Sequence, residues 1–185
     1  MTEAVEHRGW VKSAIVGVIA IELFGGLSGW LSQSGYGNAW FDALRKPSFM
    51  PPGWAFGVVW PILYALLGIA LAMILAEPPS PRRQAALTLF FIQLVLNFAW
   101  SPIFFAGHDI VLAKVVIFVM AAVAAIAARQ FLKMRQAAGL LMVPYLAWLV
   151  FAATLNSTIE SLNPGAGTSL IGCSQKSGDS SATWG

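Results

Sequence analysis

Residues 47–76 read PSFMPPGWAFGVVWPILYALLGIALAMILA, an unbroken run with no Asp, Glu, Lys or Arg. A helix needs about 20 apolar residues to cross a hydrocarbon core ~30 Å thick, and this run exceeds that. Gln84 to Gly107 and Gln136 to Ile159 are equally free of charge. Across all 185 residues 58% are hydrophobic and 10% charged, whereas a soluble domain carries about 25% charge. A freely soluble enzyme is excluded on that ground.

Two further spans complete the set. Val11 to Leu31 is apolar apart from Lys12 and Glu22, and Ile110 to Ala128 apart from Lys114. Lys114 lies near an end, where its ammonium would snorkel to the headgroups. A cleaved signal peptide is the alternative for the first span, because Arg8 and Lys12 precede the apolar run. The run is long for that, contains a carboxylate and is followed by no clear small-x-small site, so it is taken as a helix. The expected fold is an all-α membrane protein, a bundle of five transmembrane helices over residues 11–163. Pro164 to Gly185, rich in Gly, Ser and Thr, is expected to be a disordered tail.

The connections after the second span are short: Glu77 to Pro81, Gly107 to Asp109, and a basic linker from Arg129 to Gly139. Short links imply antiparallel neighbours. The loop between helices 1 and 2, residues 32–53, is long and structured by its composition. Gly35, Tyr36, Gly37 and Asn38 have turn chemistry. Ala39 to Arg45 forms a short helix with Trp40, Phe41 and Leu44 on one face, ended by Lys46 before Pro47. Pro51 and Pro52 then stiffen the entry to the second span.

Charge gives an orientation. Arg8, Lys12, Arg82, Arg83, Arg129, Lys133 and Arg135 fall on the amino-terminal side, against Arg45, Lys46, Lys114 and Lys176 opposite. This bias predicts a cytoplasmic amino terminus. The basic residues form no stripe, so the net charge of +3 does not indicate a nucleic-acid partner. A single cysteine, Cys173, and two distant histidines, His7 and His108, give no metal site and no disulfide.

The eight tryptophans are the chemical signal. Trp10 and Trp30 fit aromatic belts at the span ends. Trp60, Trp100 and Trp148 fall inside spans, and Trp40 and Trp54 on or beside the loop, as an aromatic cavity under a lid would require; packing between helices is the plainer reading of each. Buried indole N–H groups need partners, which Gln93, Asn97 and Asn156 could supply, although such amides also tie helices together. Glu22 is a candidate proton relay or a protonated carboxyl. Gly25 to Gly29 offers a small-residue face for another helix or subunit. The sequon Asn156-Ser157-Thr158 lies in a span and is not expected to be modified.

These residues also resemble a known family. Trp40, Leu44, Lys46-Pro47, Phe49, Pro51-Pro52, Phe56, Trp60, Leu63-Tyr64 and Gly68 follow its loop and second-helix pattern. Gln93, Asn97, Trp100-Ser101-Pro102 and Phe104-Phe105 resemble its third helix. Pro144-Tyr145-Leu146, Trp148, Ala152, Leu155-Asn156 and Leu162-Asn163 resemble its fifth. The chain is similar over residues 11–163 to the tryptophan-rich sensory protein and translocator protein family.

The resemblance implies an integral, multi-pass protein of a bacterial cell membrane, commonly a homodimer, that needs no cofactor and binds porphyrins, sterols and benzodiazepine-type ligands under the first loop. Carried over by motif, the ligand-binding residues are Trp40, Pro47, Phe49, Pro51, Trp60, Asn97, Trp100, Phe104, Trp148, Ala152 and Asn156. Arg45 and Lys46 would be rim cations for porphyrin propionates. Two departures stand out: Phe49 replaces a tryptophan common among relatives, and the sterol motif of the animal members lacks its basic residue after Tyr145. Three roles follow: a sensor that binds tetrapyrroles, a light-dependent porphyrin-degrading catalyst with Trp60 and Trp148 as oxidisable groups, and a transporter. No acid–base pair or nucleophile supports conventional catalysis, and no internal repeat supports a transporter.

Overall fold

The computed structural model describes residues 2–167, with side chains described from Trp10 onward. It contains α1 (Thr2–Leu31), α2 (Ala39–Ala43), α3 (Gly53–Leu75), α4 (Pro81–Ser101), α5 (Ile110–Met134), α6 (Gln136–Leu141) and α7 (Val143–Leu162). Five stretches are long and apolar enough to cross a bilayer: Trp10–Leu31, Gly53–Leu75, Pro81–Ala106, Ile110–Met134 and Gln136–Leu162. The described residues form no strand.

The boundaries follow local chemistry. Ser80 accepts from Arg83 N with Pro81 at the first position of α4, and Asp109 accepts from Leu112 N to start α5; short polar side chains satisfy the free N–H groups of a helix start. The linker expected from Arg129 to Gly139 is mostly helical: α5 runs to Met134, breaks at Arg135, where the backbone is extended, and resumes as α6. Arg135 reaches Glu77 at 3.8 Å, tying that break to the α3–α4 turn. Expected tail residues 164–167 are described, and the Ala166 carbonyl accepts from Trp40 Nε1 at 3.2 Å. The rest of the expected tail, with Cys173 and Lys176, lies outside the described residues.

Proline reshapes the end of α4. Pro102 has no N–H to give Phe98 O, and residues Pro102–Ala106 widen into a π-turn closed by Gly107 N donating to Pro102 O at 2.8 Å. The stranded Phe98 carbonyl takes a hydrogen bond from Ser28 Oγ of α1 at 2.5 Å. A proline on one helix has created an acceptor that fixes another.

α1 packs chiefly on α3, α4 on α5, α5 on α7, and α3 on α6. The α1–α3 crossing is a backbone approach. A Cβ at Gly68 would stand 2.7 Å from Val18 N and Cα, and one at Gly17 would stand 3.3 Å from Gly68 O. With no water to displace, helices in a membrane associate through such close packing and through hydrogen bonds.

The second tie is polar. Tyr64 Oη donates to Asn97 Oδ1 at 2.8 Å, Asn97 Nδ2 donates to Tyr145 Oη at 3.1 Å, and Tyr145 Oη donates to Gln93 Oε1 at 2.7 Å. This chain joins α3, α4 and α7 through buried groups. The intramembrane amides Gln93 and Asn97 therefore meet tyrosines, not indoles.

Two outcomes follow for unfolding in mixed micelles. Gly68→Ala loses about 1–3 kcal/mol, because the backbone of α1 must move, while Gly26→Ala, with nothing within 4 Å of its Cβ, loses none. Tyr145→Phe strands Asn97 Nδ2 and Gln93 Oε1 and costs about 1–2 kcal/mol.

Candidate ligand cavity

The α1–α3 turn is built to roof the bundle. Gly35 and Gly37 take φ of 103° and 95°, a region open to glycine without steric cost. They bring Asn38 to the start of α2, where its Oδ1 accepts from Phe41 N at 3.1 Å, and Asp42 Oδ2 accepts from Gly37 N at 2.9 Å. The helix expected over Ala39 to Arg45 ends at Ala43. The backbone turns extended at Leu44, and the Lys46 ammonium turns back to satisfy the free carbonyls, donating to Phe41 O at 2.7 Å and Asp42 O at 3.1 Å. It lies 4.6 Å from the Phe41 ring centroid, within cation–π range.

Asn163 at the end of α7 clamps the same loop. Its Oδ1 accepts from Arg45 N at 2.8 Å, and its Nδ2 donates to Arg45 O at 2.9 Å. Trp40 fastens the other side: it stacks on His108 with centroids 4.4 Å apart and meets Phe104 edge-on at 5.5 Å.

Beneath this roof lies a cavity of about 300 Å³. Of the residues carried over by motif, Trp60, Asn97, Trp100, Phe104, Trp148, Ala152 and Asn156 line it. Trp60 and Trp148 meet edge-to-face with centroids 6.3 Å apart. Trp148 also meets Phe56 edge-on at 5.8 Å, and Trp100 stacks on Phe104 at 5.1 Å. These are the offset and T-shaped arrangements that aromatic quadrupoles favour.

Trp40, Pro47, Phe49 and Pro51 do not line the cavity. Pro47 is buried within the loop, Phe49 is 47% exposed, and the Pro51 carbonyl accepts from Tyr36 Oη at 3.3 Å. They and Trp40 shape the roof, while Tyr36, Phe41 and Met50 form its inner surface. The proposed rim cations are also elsewhere. Lys46 is held by backbone carbonyls of α2, the Arg45 backbone is held by Asn163, and neither side chain is on the cavity wall. Trp54 and Trp30 are turned outward. Lys114 does not reach for headgroups alone: its Nζ pairs with Glu160 of α7 at 2.5 Å.

Sequence reasoning missed the α1 wall. Glu22, Gly25, Gly26 and Gly29 all line the cavity, and their i, i+3, i+4, i+7 spacing on one helix face was the available signal. Gly25 packs under the Tyr64 ring, so its small size serves an intramolecular contact with α3. Gly26, Gly29, Ser34 and Tyr36 border both the cavity and a groove on the outer surface, which marks the opening.

Three buried polar atoms on cavity residues have no hydrogen-bond partner among the described residues: Trp100 Nε1, Trp148 Nε1 and Asn156 Oδ1. The other amide atom of Asn156 donates to Ile110 O at 3.0 Å. The three unpaired atoms have almost no accessible surface, so they lie within the wall and do not face the space; the cavity itself is mainly apolar and aromatic, as small-molecule sites are. No group of three or more His, Cys, Asp or Glu among the described residues could hold a metal ion.

Comparison with known proteins agrees with this architecture. The family model described as TspO/MBR family matches residues 15–162. The chain is 36% identical over 152 residues to the translocator protein of Sus scrofa, covering 81% of this chain and 90% of that one. It is 38% identical over 126 residues to the tryptophan-rich protein TspO of Chlorobaculum tepidum, covering 68% and 80%. The tryptophan-rich sensory protein of Cereibacter sphaeroides is 36% identical over 126 residues, covering 68% and 78%. With its five spans, its tryptophan-walled cavity and a match over most of its length, the chain belongs to the TspO/MBR family.

Proposed function

We propose that this membrane protein is a receptor or sensor that binds a flat apolar ligand, a porphyrin in the first instance, in the cavity walled by Trp60, Trp100 and Trp148. The observation that carries the reading is the set of aromatic side chains, Trp60, Trp100, Phe104 and Trp148, gathered around one mainly apolar cavity. Among the described residues the indole N–H groups of Trp100 and Trp148 are unpaired and have almost no accessible surface; a ligand acceptor that meets one of them as the side chain turns recovers about 1–3 kcal/mol, the cost of an unpaired buried donor. The ring faces add stacking, and ~150 Å² of buried apolar ligand surface contributes several kcal/mol at about 25 cal/mol per Å².

The size of the cavity limits the pose. At about 300 Å³ it stands at the lower end of small-molecule sites and does not enclose a whole tetrapyrrole. One edge of the macrocycle inserts against the touching Trp60–Trp148 pair, and the remainder leaves through the opening beside Gly26 and Gly29. The propionates then lie outside, which suits a wall without Lys, Arg or His. The names of relatives speak of sensing and translocation; binding is the step common to both. The excess of Lys and Arg at the end opposite the loop supports a cytoplasmic amino terminus.

Protoporphyrin IX added to the purified protein in detergent is expected to quench tryptophan fluorescence saturably to a 1:1 endpoint. Trp60→Ala combined with Trp148→Ala weakens it by about tenfold or more. Gly26→Leu fills the opening and weakens binding similarly while leaving the unfolding transition in place. Equal affinity in wild type and both variants would overturn the reading.

A further inference from the structure

Among the described residues, Glu22 is the one acidic side chain on the cavity wall, and no Lys, Arg or His joins it there. It lies twelve residues into the span that begins at Trp10, about 18 Å along the helix and hence near the middle of the bilayer. The side chain is half-buried, and neither ion pair formed by the described acidic residues, Lys114 with Glu160 or Arg135 with Glu77, involves it. Tyr64 shares the wall but spends its proton on Asn97 Oδ1. Gly25 lies under the Tyr64 ring, while a Cβ at Gly26, one turn from Glu22 on the same face, would meet nothing within 4 Å. A carboxyl-bearing side chain thus lines the cavity in a low-dielectric setting, beside open space at Gly26, with no ion pair to a described residue, a costly arrangement in a membrane.

We propose that Glu22 makes the cavity charge-selective: it favours apolar ligands that carry a basic amine at the α1 wall and rejects those that carry a carboxylate there. The argument holds for either protonation state of the acid. A carboxyl and an amine share one proton as a hydrogen-bonded pair of zero net charge, which is the species that low dielectric tolerates. A ligand carboxylate at the same place meets either like charge or the need for an additional proton. Rejection of this kind is how a site separates ligands of equal shape. The inference rests on the cavity being a ligand site and not on the ligand being a porphyrin.

Three pyrenes of nearly equal shape test it: 1-pyrenemethylamine, 1-methylpyrene and 1-pyrenecarboxylate, read by energy transfer from tryptophan in detergent and corrected against protein-free micelles. In wild type the expected order of affinity is amine, then methyl, then carboxylate. In Glu22→Gln the amine weakens and the carboxylate strengthens, each by about fivefold or more, while 1-methylpyrene is unchanged and so reports an intact cavity. If Glu22→Gln loses 1-methylpyrene, Glu22→Met makes the same comparison with the side-chain length kept. An amine-to-carboxylate ratio equal in wild type and variant overturns the proposal. Pyrenes that discriminate while protoporphyrin does not quench would overturn the porphyrin reading alone.

Discussion

Hydrocarbon supplies no hydrogen-bond partner, so each polar group within it has to be paired by the protein itself. That constraint organises this molecule. Where it is met, it fixes helices: the Tyr64–Asn97–Tyr145–Gln93 chain joins α3, α4 and α7, and Ser28 serves the carbonyl that Pro102 leaves free. It is unmet, among the described residues, at Gln93 Nε2 beside that chain and at three atoms in the wall of the cavity. Trp100 Nε1, Trp148 Nε1 and Asn156 Oδ1 lack partners among the described residues, and all three residues line one cavity.

The loop between α1 and α3 roofs this slot and leaves it open beside Gly26 and Gly29. Its rigidity comes from several modest interactions. Glycines with left-handed backbone set the turn, Lys46 closes the end of α2, Asn163 holds Arg45 by both backbone groups, and Trp40 stacks on His108. The roof is thereby attached to the α4–α5 turn and to the end of α7, two elements distant in sequence. A change at either attachment alters the mouth of the cavity without touching its wall.

Much of the architecture was legible because a bilayer imposes a simple rule on composition. Charge-free runs such as residues 47–76 allow few structures other than spanning helices, and three of the five spans follow from that alone. Depth in those runs placed Trp60, Trp100 and Trp148 inside spans but left helix packing as the plainer reading; their assignment to a pocket came from the family resemblance. The roof was not. Whether Trp40 or Phe41 turns inward depends on which backbone groups Lys46 and Asn163 reach, and that is set by tertiary contacts. Arg45 and Lys46 look like rim cations from spacing alone, but an ammonium beside the free carbonyls of a helix end satisfies them first. The glycines of α1 hid a cavity wall for a related reason: small residues signal close approach, and only the three-dimensional arrangement shows that Gly25 meets a tyrosine ring while Gly26 meets open space.

The most direct measurement of the central claim is the set of indole N–H signals in proton–nitrogen correlation spectra of the labelled protein, assigned by single Trp→Phe substitutions. On addition of protoporphyrin dimethyl ester, the account predicts that the signals of Trp100 and Trp148 shift, while those of the outward-facing Trp30 and Trp54 keep their positions. Movement confined to Trp30 and Trp54, with Trp100 and Trp148 unchanged, would place the ligand on the lipid-facing surface and contradict it.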